Sequence, residues 1–202
     1  MHISAMKRME WFVNYYIPKD KHIRILDVGS YNVNGCYRPL FKGFDCEYVG
    51  VDIEKGPNVD IVLEDPYSWN SIENNSFDFV ISGNAFEHIE YPWVTMGQIR
   101  NKLKDDGFVC ILAPFNLSEH KYPTDCYRYY PDGMIALAKW AGLKVVNCTT
   151  GGVPERVDVK RWIPSENYDD TMLIACKTNS EESLKNLPKL TSESRSFQIF
   201  KS

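Results

Sequence analysis

The stretch Ile23-Arg-Ile-Leu-Asp-Val-Gly-Ser30 decides the fold that we predict for this chain of 202 residues. Its apolar run is typical of a buried parallel strand, and a glycine directly after such a strand lets the backbone turn tightly beneath a ligand. The next strand-like segment ends in Asp52, about 20 residues beyond Gly29. Doubly wound nucleotide-binding folds place an acid that binds ribose hydroxyls at about this distance. Asp27 and Asp52, each at a strand end, therefore predict an adenosine-binding site.

The glycine loop after the first strand separates two kinds of adenosine ligand. Dinucleotide sites carry the fingerprint GxGxxG, in which the second glycine lets a pyrophosphate approach the backbone. Here Tyr31 stands in that position. A ligand with an adenosine but no phosphates therefore fits the loop better, and an NAD-dependent oxidoreductase is the less favoured alternative.

Alternating strand-like and helix-like segments predict an α/β fold with a Rossmann-like, doubly wound, mostly parallel sheet of seven strands. The last two strands have no helix between them, so the last strand is expected to be antiparallel. Helical segments are predicted at residues 4–16, 35–41, 92–103 and from 131 onward. Strands are predicted at residues 23–28, 47–52, 59–63, 77–82, 108–113, 143–149 and 171–177.

Length and composition predict one folded domain. A chain of this size suits a single α/β domain, which we place at residues 1–177 with an N-terminal helix inside residues 1–20. A long loop at residues 151–170 separates the last two strands, and loops of this length are usually functional or mobile. Residues 178–202 form a polar C-terminal tail.

Charge, hydropathy and cysteine content argue against several classes of protein. The formal net charge is −4 and no basic run exceeds two residues, so no nucleic-acid partner is expected. No apolar stretch reaches the length of a membrane span, and the first 20 residues lack the apolar core of a signal peptide. The six cysteines form no CxxC pair, which predicts free thiols in a reducing, cytoplasmic compartment. The oligomeric state stays open.

Three strings resemble class I S-adenosylmethionine-dependent methyltransferases. The first strand and its loop match the family's acid-x-Gly-x-Gly motif, except that Tyr31 replaces the second glycine. Residues 76–89 and 99–107 are similar to the SFDxVxxxxxxEH and RxLKPGG signature of the methyltransferase type 11 group, with Asp105-Asp106 in place of Pro-Gly. Residues 120–128 resemble the His-x-Tyr-Pro-x-Asp-x-x-Arg string of a subset found in sugar and cell-surface biosynthesis.

The resemblance implies S-adenosylmethionine as the cofactor, bound at the carboxyl ends of the strands. Asp27 would orient the amino group of the methionine portion, which the glycine loop carries. Asp52 would bind the ribose hydroxyls, Ile53 would pack on the adenine face, and Asp65 would accept from the adenine amine. Asn84 would lie beside the sulfonium. The full implied set is Asp27, Gly29, Ser30, Asp52, Ile53, Asp65 and Asn84.

The resemblance also suggests candidate catalytic residues. Methyl transfer from a sulfonium is an in-line displacement, so alignment supplies most of the acceleration. A hydroxyl or a protonated amine must in addition lose a proton, which a base of near-neutral pKa accepts. His120 and His88 are the candidate bases, with Asp125 orienting His120 and Arg128 clamping an acidic or sugar-hydroxyl acceptor. Alternatively, His120, Asp125 and Arg128 brace a loop, and His88 caps or packs. The two histidines and Asp125 are chemically able to hold a metal ion, but no metal is predicted.

The predicted function is transfer of a methyl group to a small polar acceptor, an oxygen of a sugar or glycan precursor. A non-catalytic S-adenosylmethionine-binding subunit, serving as the partner of another protein, is an alternative from a different class. An aromatic wall beside the site would stack a sugar ring, although aromatic residues at the base of a loop look the same in sequence. Its candidate members are Tyr122, Tyr127, Tyr129, Tyr130 and Trp162.

Overall fold

The computed structural model describes residues 3–151 and 170–177. Seven strands form one sheet: β1 (Ile23–Val28), β2 (Cys46–Asp52), β3 (Ile61–Val62), β4 (Phe77–Gly83), β5 (Leu103–Pro114), β6 (Lys144–Thr150) and β7 (Asp170–Cys176). Their order across the sheet is β3-β2-β1-β4-β5-β7-β6. Only β7 runs antiparallel to its neighbours, β5 and β6, while the other pairs are parallel. The predicted Rossmann-like sheet with an antiparallel last strand is confirmed.

Helices cover both faces of this sheet. They are α1 (Ile3–Tyr16), α2 (Pro92–Lys102) and α3 (Pro131–Trp140), with 3₁₀ turns at Arg38–Phe41 and Phe86–His88. Prolines open α2 and α3 at a position where their missing N–H costs no hydrogen bond. Successive strand residues point to opposite faces, so one apolar cluster joins the sheet to α1 and a second joins it to α2 and α3.

Some predicted boundaries are wrong for identifiable reasons. Residues 104–107, which are predicted to lie between a helix and a strand, lie inside β5, because a bulge lets Phe77 pair with Leu103 while Phe79 pairs with Phe108. Gly107 fits there because a Cβ would lie only 2.8 Å from the carbonyl oxygen of Asp78. The third strand has two residues, since it pairs only with the last two residues of β2. The helix predicted at residues 35–41 is a short 3₁₀ turn, and no α-helix links β2, β3 and β4.

The sheet brings three strand ends to one edge. Val28 at the end of β1 pairs with Val51 of β2 and with Ser82 of β4, so the loops that follow these strands meet above the same edge. Most of the predicted loop at residues 151–170 and the predicted tail at residues 178–202 lie outside the described residues. In the part of the chain that the structure describes, no helix combines the length and apolar character that crossing a membrane requires.

Candidate cofactor and acceptor site

Two adjoining cavities open at this edge of the sheet. The larger is a cleft of about 770 Å³ lined by the loop after β1, the end of β2, and residues 84–90 and 120–124. The smaller, of about 80 Å³, lies between the loop after β1 and the end of β4. Gly29 and Asn84 line both cavities. All the predicted site residues except Asp65, Asp125 and Arg128 therefore border one of these two adjoining cavities.

Gly29 is required by the close approach of two chain segments. Its φ is +73°, a conformation that L side chains rarely adopt, and a Cβ would lie 2.3 Å from the Cβ of Ala85. The N–H groups of Gly29 and Ser30 donate to the carbonyl of Val51 at 3.0 and 3.1 Å, and the Ser30 hydroxyl donates to the carbonyl of Asn58 at 3.1 Å. The loop is thus fastened to the end of β2 and leaves its backbone facing the cavities.

Asp27 is a buried carboxylate with one oxygen already committed. The Tyr48 hydroxyl and the Asn58 amide donate to its Oδ2 at 2.5 and 3.3 Å. Only 3% of Asp27 is exposed, and this burial raises the pKa of its carboxyl to about 6, although the two hydrogen bonds work in the opposite direction. Oδ1 stays available to a donor in the small cavity, such as the amino group that the family resemblance implies for it.

Asp52 organises the backbone on both sides of the large cleft. Its Oδ2 accepts the N–H of Tyr31 at 2.9 Å, and its Oδ1 accepts the N–H groups of Ile53 and Glu54 at 2.8 and 3.2 Å. Each carboxylate oxygen has two lone pairs, so capacity remains for a ligand hydroxyl. The Ile53 side chain is 49% exposed and lines the cleft beside this carboxylate. An apolar side chain in that place suits a flat ring.

Asp65 borders neither the cleft nor the small cavity, unlike the other predicted cofactor residues. Its side chain is exposed, and its Oδ1 accepts the N–H of Tyr67 at 2.8 Å in a turn. Leu63, Pro66 and Trp69 line the cleft in this region instead. Among the described residues, the structure therefore brings together all the predicted cofactor-binding positions except this one.

Two buried polar atoms border the small cavity without a hydrogen-bond partner among the described residues: the Tyr37 hydroxyl and Asn84 Oδ1. The Asn84 side-chain nitrogen donates to Asp170 at 3.1 Å, and its backbone has a φ of +54°. Gly83 allows the tyrosine to lie there, because a Cβ would be 2.0 Å from the hydroxyl. Unpaired buried polar atoms cost free energy, and a polar ligand in this cavity would satisfy them.

A cluster of three ionisable side chains lines the other end of the cleft. Glu87 is 1% exposed and neither of its carboxylate oxygens has a hydrogen-bond partner among the described residues. Its Oε1 lies 3.7 Å from His88 Nε2 and 3.9 Å from His120 Nε2. Burial raises the pKa of Glu87 to about 8 and lowers the pKa of His88. The predicted histidines therefore meet, and they share a buried acid.

Asp125 and Arg128 make the contacts of the loop-bracing alternative. The Arg128 guanidinium binds the two carboxylate oxygens of Asp125 at 2.5 and 2.7 Å, and it also donates to the carbonyls of Leu117, Ser118 and Tyr127. Asp125 in turn accepts the backbone N–H of His120 at 2.6 Å. Neither Asp125 nor Arg128 lines the cleft. Both therefore fix the position of the His120 backbone without lining the cleft themselves.

Glu87 is the site residue that sequence reasoning missed. It was visible in the string at residues 76–89 as the acid directly before His88, but a glutamate that opens a helical turn usually faces water. Its burial depends on a distant segment, because the N–H groups of Cys126 and Tyr127 donate to the Glu87 carbonyl at 2.7 and 3.2 Å.

Comparisons with known proteins identify the family. The sequence model of a methyltransferase domain matches residues 4–188. No curated protein sequence matches the chain significantly. The chain therefore belongs to the methyltransferase domain family, and it is an enzyme that depends on S-adenosylmethionine. The resemblance to class I methyltransferases is confirmed, whereas membership of the subset marked by residues 120–128 stays a prediction.

Solved methyltransferase structures share the fold at low sequence identity. An S-adenosylmethionine-dependent methyltransferase from Aquifex aeolicus is 16% identical, with a TM-score of 0.60 over 86% of this chain and 93% of that one. One from Archaeoglobus fulgidus is 18% identical, with a TM-score of 0.60 over 83% and 90%. The 1,6-didemethyltoxoflavin-N1-methyltransferase of Burkholderia thailandensis, solved with S-adenosylhomocysteine, is 16% identical, with a TM-score of 0.63 over 88% and 80%.

We expect Gly29→Ala to weaken both folding and cofactor binding. The new methyl group collides with Ala85, so overpacking of about 1–3 kcal/mol adds to a backbone penalty of about 1–2 kcal/mol. Gly43→Ala is the matched control, because Gly43 has a φ of +92° and no atom within 4 Å of the added Cβ. Urea unfolding and calorimetry with S-adenosylhomocysteine measure the two effects. Equal losses in both variants would contradict the close approach as the reason for Gly29.

Asp27→Asn should stabilise the protein at pH 8 and weaken cofactor binding. The folded-state pKa of Asp27 is raised to about 6 from an ordinary 3.8, so ionisation costs the native state stability as the pH rises through this range. Asparagine removes a cost of about 3 kcal/mol at pH 8, and the difference should vanish below about pH 3. Unfolding curves across this pH range measure it. A variant less stable than wild type at every pH would show that the bonds from Tyr48 and Asn58 outweigh burial.

Proposed function

We propose that this methyltransferase methylates an oxygen of a small polar acceptor, namely a hydroxyl of a sugar or glycan precursor. One observation carries the proposal. The cleft bordered by Gly29 and Asp52 continues without interruption to the cluster formed by Glu87, His88 and His120. An acceptor hydroxyl placed between the two ends would face the cofactor on one side and proton-accepting groups on the other.

The cofactor supplies an electrophilic methyl group, and this chain's own residues do the rest. The backbone beside Gly29 and the free Oδ1 of Asp27 would hold the methionine portion, while Asp52 and Ile53 would hold the adenosine. When bound, the cofactor would supply its methyl carbon to a lone pair of the acceptor oxygen, and the electron pair of the C–S bond would pass to sulfur. The hydroxyl proton leaves to the cluster that contains His120. Alignment of these groups supplies most of the acceleration.

A sugar acceptor fits the exposed aromatic ring at the mouth of the cleft. Tyr122 lines the cleft and is 54% exposed, so its face is open for stacking. The other described members of the predicted aromatic wall do not line the cleft. Tyr129 is buried in the core, and the Tyr127 hydroxyl donates to the carbonyl of Glu90. Tyr130 packs on Phe115. Trp162 lies outside the described residues.

The alternative of a non-catalytic binding subunit predicts a loop that leaves no space for an acceptor. The cleft of about 770 Å³ supports the catalytic proposal instead, because small-molecule sites in proteins occupy about 300–1,000 Å³. All six cysteines are free thiols, as expected of the reducing, cytoplasmic compartment that we propose for the protein.

Asp52→Ala tests the proposed ribose contact. Loss of charge-assisted hydrogen bonds should weaken binding of S-adenosylmethionine by about 1.5–3 kcal/mol, measured by titration calorimetry on a variant whose thermal melt shows it to be folded. Unchanged affinity would remove Asp52 from the site. Asp65→Ala, studied in parallel, tests the predicted adenine contact, and an unaffected affinity is the result that its position outside the cleft favours.

His120→Ala tests the acceptor end of the cleft. Turnover should fall by about 10²–10⁴-fold, the usual effect of losing an acid–base group, while affinity for S-adenosylhomocysteine stays nearly unchanged. His22→Ala is the control, since His22 precedes the start of β1, at the end of the strand opposite the cleft, and pairs with the exposed Asp45. Full turnover in His120→Ala would reassign His120 to the loop that Asp125 and Arg128 brace.

The acceptor class is tested with S-adenosylmethionine carrying an isotopically labelled methyl group. Nucleotide-linked hexoses and free hexoses form one panel, and small primary amines form the other. Labelled methyl ethers on the sugars, reduced in the Asp52→Ala variant at limiting S-adenosylmethionine, would support the proposal. Methylation of amines alone would overturn the choice of oxygen.

A further inference from the structure

The cluster of Glu87, His88 and His120 has the geometry of an empty ligand set rather than of a packed hydrogen-bond network. One ligand atom from each residue lies within 4.8 Å of the others. The Glu87 Oε1 atom is 3.7 Å from one imidazole Nε2 and 3.9 Å from the other, too far for a hydrogen bond. Tetrahedral zinc at about 2.1 Å from each ligand separates the ligands by about 3.4 Å. The Glu87–histidine separations would shorten by a few tenths of an ångström, and that between the two imidazoles by at most about 1.4 Å, to bring the three atoms around one ion.

Backbone carbonyls orient both imidazole rings toward this centre. His88 Nδ1 lies 2.6 Å from the carbonyl oxygen of Thr124, and His120 Nδ1 lies 3.2 Å from that of Ser118. A carbonyl only accepts, so each Nδ1 carries the proton and each Nε2 keeps its lone pair for the cluster. Histidines that bind metals typically donate their other N–H to a carbonyl in this way.

Glu87 supplies an observation that is independent of the histidines. Its carboxylate is 1% exposed and both oxygens lack a hydrogen-bond partner among the described residues. Burying such a group without a partner is costly, and a cation beside it would remove the cost. Arg128, the nearest guanidinium in the loop, is already engaged by Asp125 and by carbonyl groups. Access is open, because the His120 side chain is 41% exposed at the cleft.

We propose that Glu87, His88 and His120 bind one divalent transition-metal ion, with zinc as the representative. Two imidazole nitrogens and one carboxylate oxygen match the ligand set of catalytic zinc sites, whereas magnesium and calcium prefer oxygen ligands alone. The sequence predicts no metal. From the sequence, Asp125 is the acid that, together with the two histidines, is chemically able to bind one. The structure assigns the acid position to Glu87, because Asp125 is held by Arg128 and by the backbone of His120.

The ion leaves a coordination position open toward the cleft, and there it would bind the acceptor oxygen. This role rests on the proposed function. A hydroxyl bound to the ion has a lowered pKa, so its proton passes to water in the open cleft before the oxygen attacks the methyl carbon. With the ion bound, the three side chains serve as ligands rather than as bases, so water takes the proton in place of the cluster that contains His120, and the ion stabilises the negative charge on the acceptor oxygen.

The test measures metal binding without any acceptor. The full chain, freed of metal by dialysis against a chelator, is titrated with Zn²⁺ by calorimetry, and bound metal is counted by elemental analysis. The expected result is one ion per chain at this site. Loss of a residue that only orients a metal ligand typically lowers metal affinity about 10–100-fold. Loss of a ligand itself, in Glu87→Gln or His120→Ala, should lower zinc affinity by at least as much. Glu87→Gln keeps the side-chain volume, and His120 is partly exposed, so neither variant is expected to unfold.

His22→Ala is the matched control, because it removes a histidine that binds a carboxylate at the surface. All variants keep the six cysteines, so any zinc bound by thiols is the same in each and cancels. Equal zinc affinity in Glu87→Gln, His120→Ala and His22→Ala would overturn the proposal. Methyl transfer that survives chelation would overturn the role of the ion and leave the proposed function standing. Site-specific zinc binding without methylation of any hydroxyl would support the metal site and overturn the proposed function.

Discussion

The close approach between the loop after β1 and the segment after β4 is the constraint on which the rest of the site depends. Ser82 of β4 donates its hydroxyl to the carbonyl of Val28 at 2.8 Å, which ties the ends of these neighbouring parallel strands together. Directly after β1, Gly29 lies where any side chain would meet Ala85. The missing Cβ lets the two segments approach, so that Gly29 and Asn84 line both cavities and Asp27 lines the smaller one.

Much of the fold could be predicted from the sequence because its strands are apolar runs that end in informative residues. The parallel sheet then placed Asp27, Asp52 and Asn84 together, since strand ends of a parallel sheet share an edge. Features that depend on contacts between distant segments of the chain could not be predicted from the sequence. The extension of β5 rests on a bulge opposite Phe79, and the exposure of Asp65 follows from a local turn that sequence does not orient.

The end of the cleft formed by Glu87, His88 and His120 was also predicted only in part. The histidines were identified from a family string, but the acid between them was not, because its burial requires the loop at residues 120–128 to fold onto the 3₁₀ turn at Phe86–His88. Backbone hydrogen bonds accomplish this: two N–H groups of the loop bind the carbonyl of Glu87, and the Tyr129 hydroxyl binds that of Phe86 at 3.1 Å. Hydrogen bonds to backbone carbonyl groups depend little on which residue carries the carbonyl, so the sequence does not predict them.

The way in which Arg128 holds its loop has a consequence for how such an enzyme can diversify. The guanidinium binds carbonyl groups and the buried Asp125, so the path of the loop does not rely on the side chains at its tip. Lys121 and Tyr122 project from this fixed frame into the mouth of the cleft. Substitutions at these two positions can therefore reshape the opening while the chemistry beneath it keeps its geometry. The frame and the surface that it carries are separate parts, so the shape of the opening can change without loss of the fold.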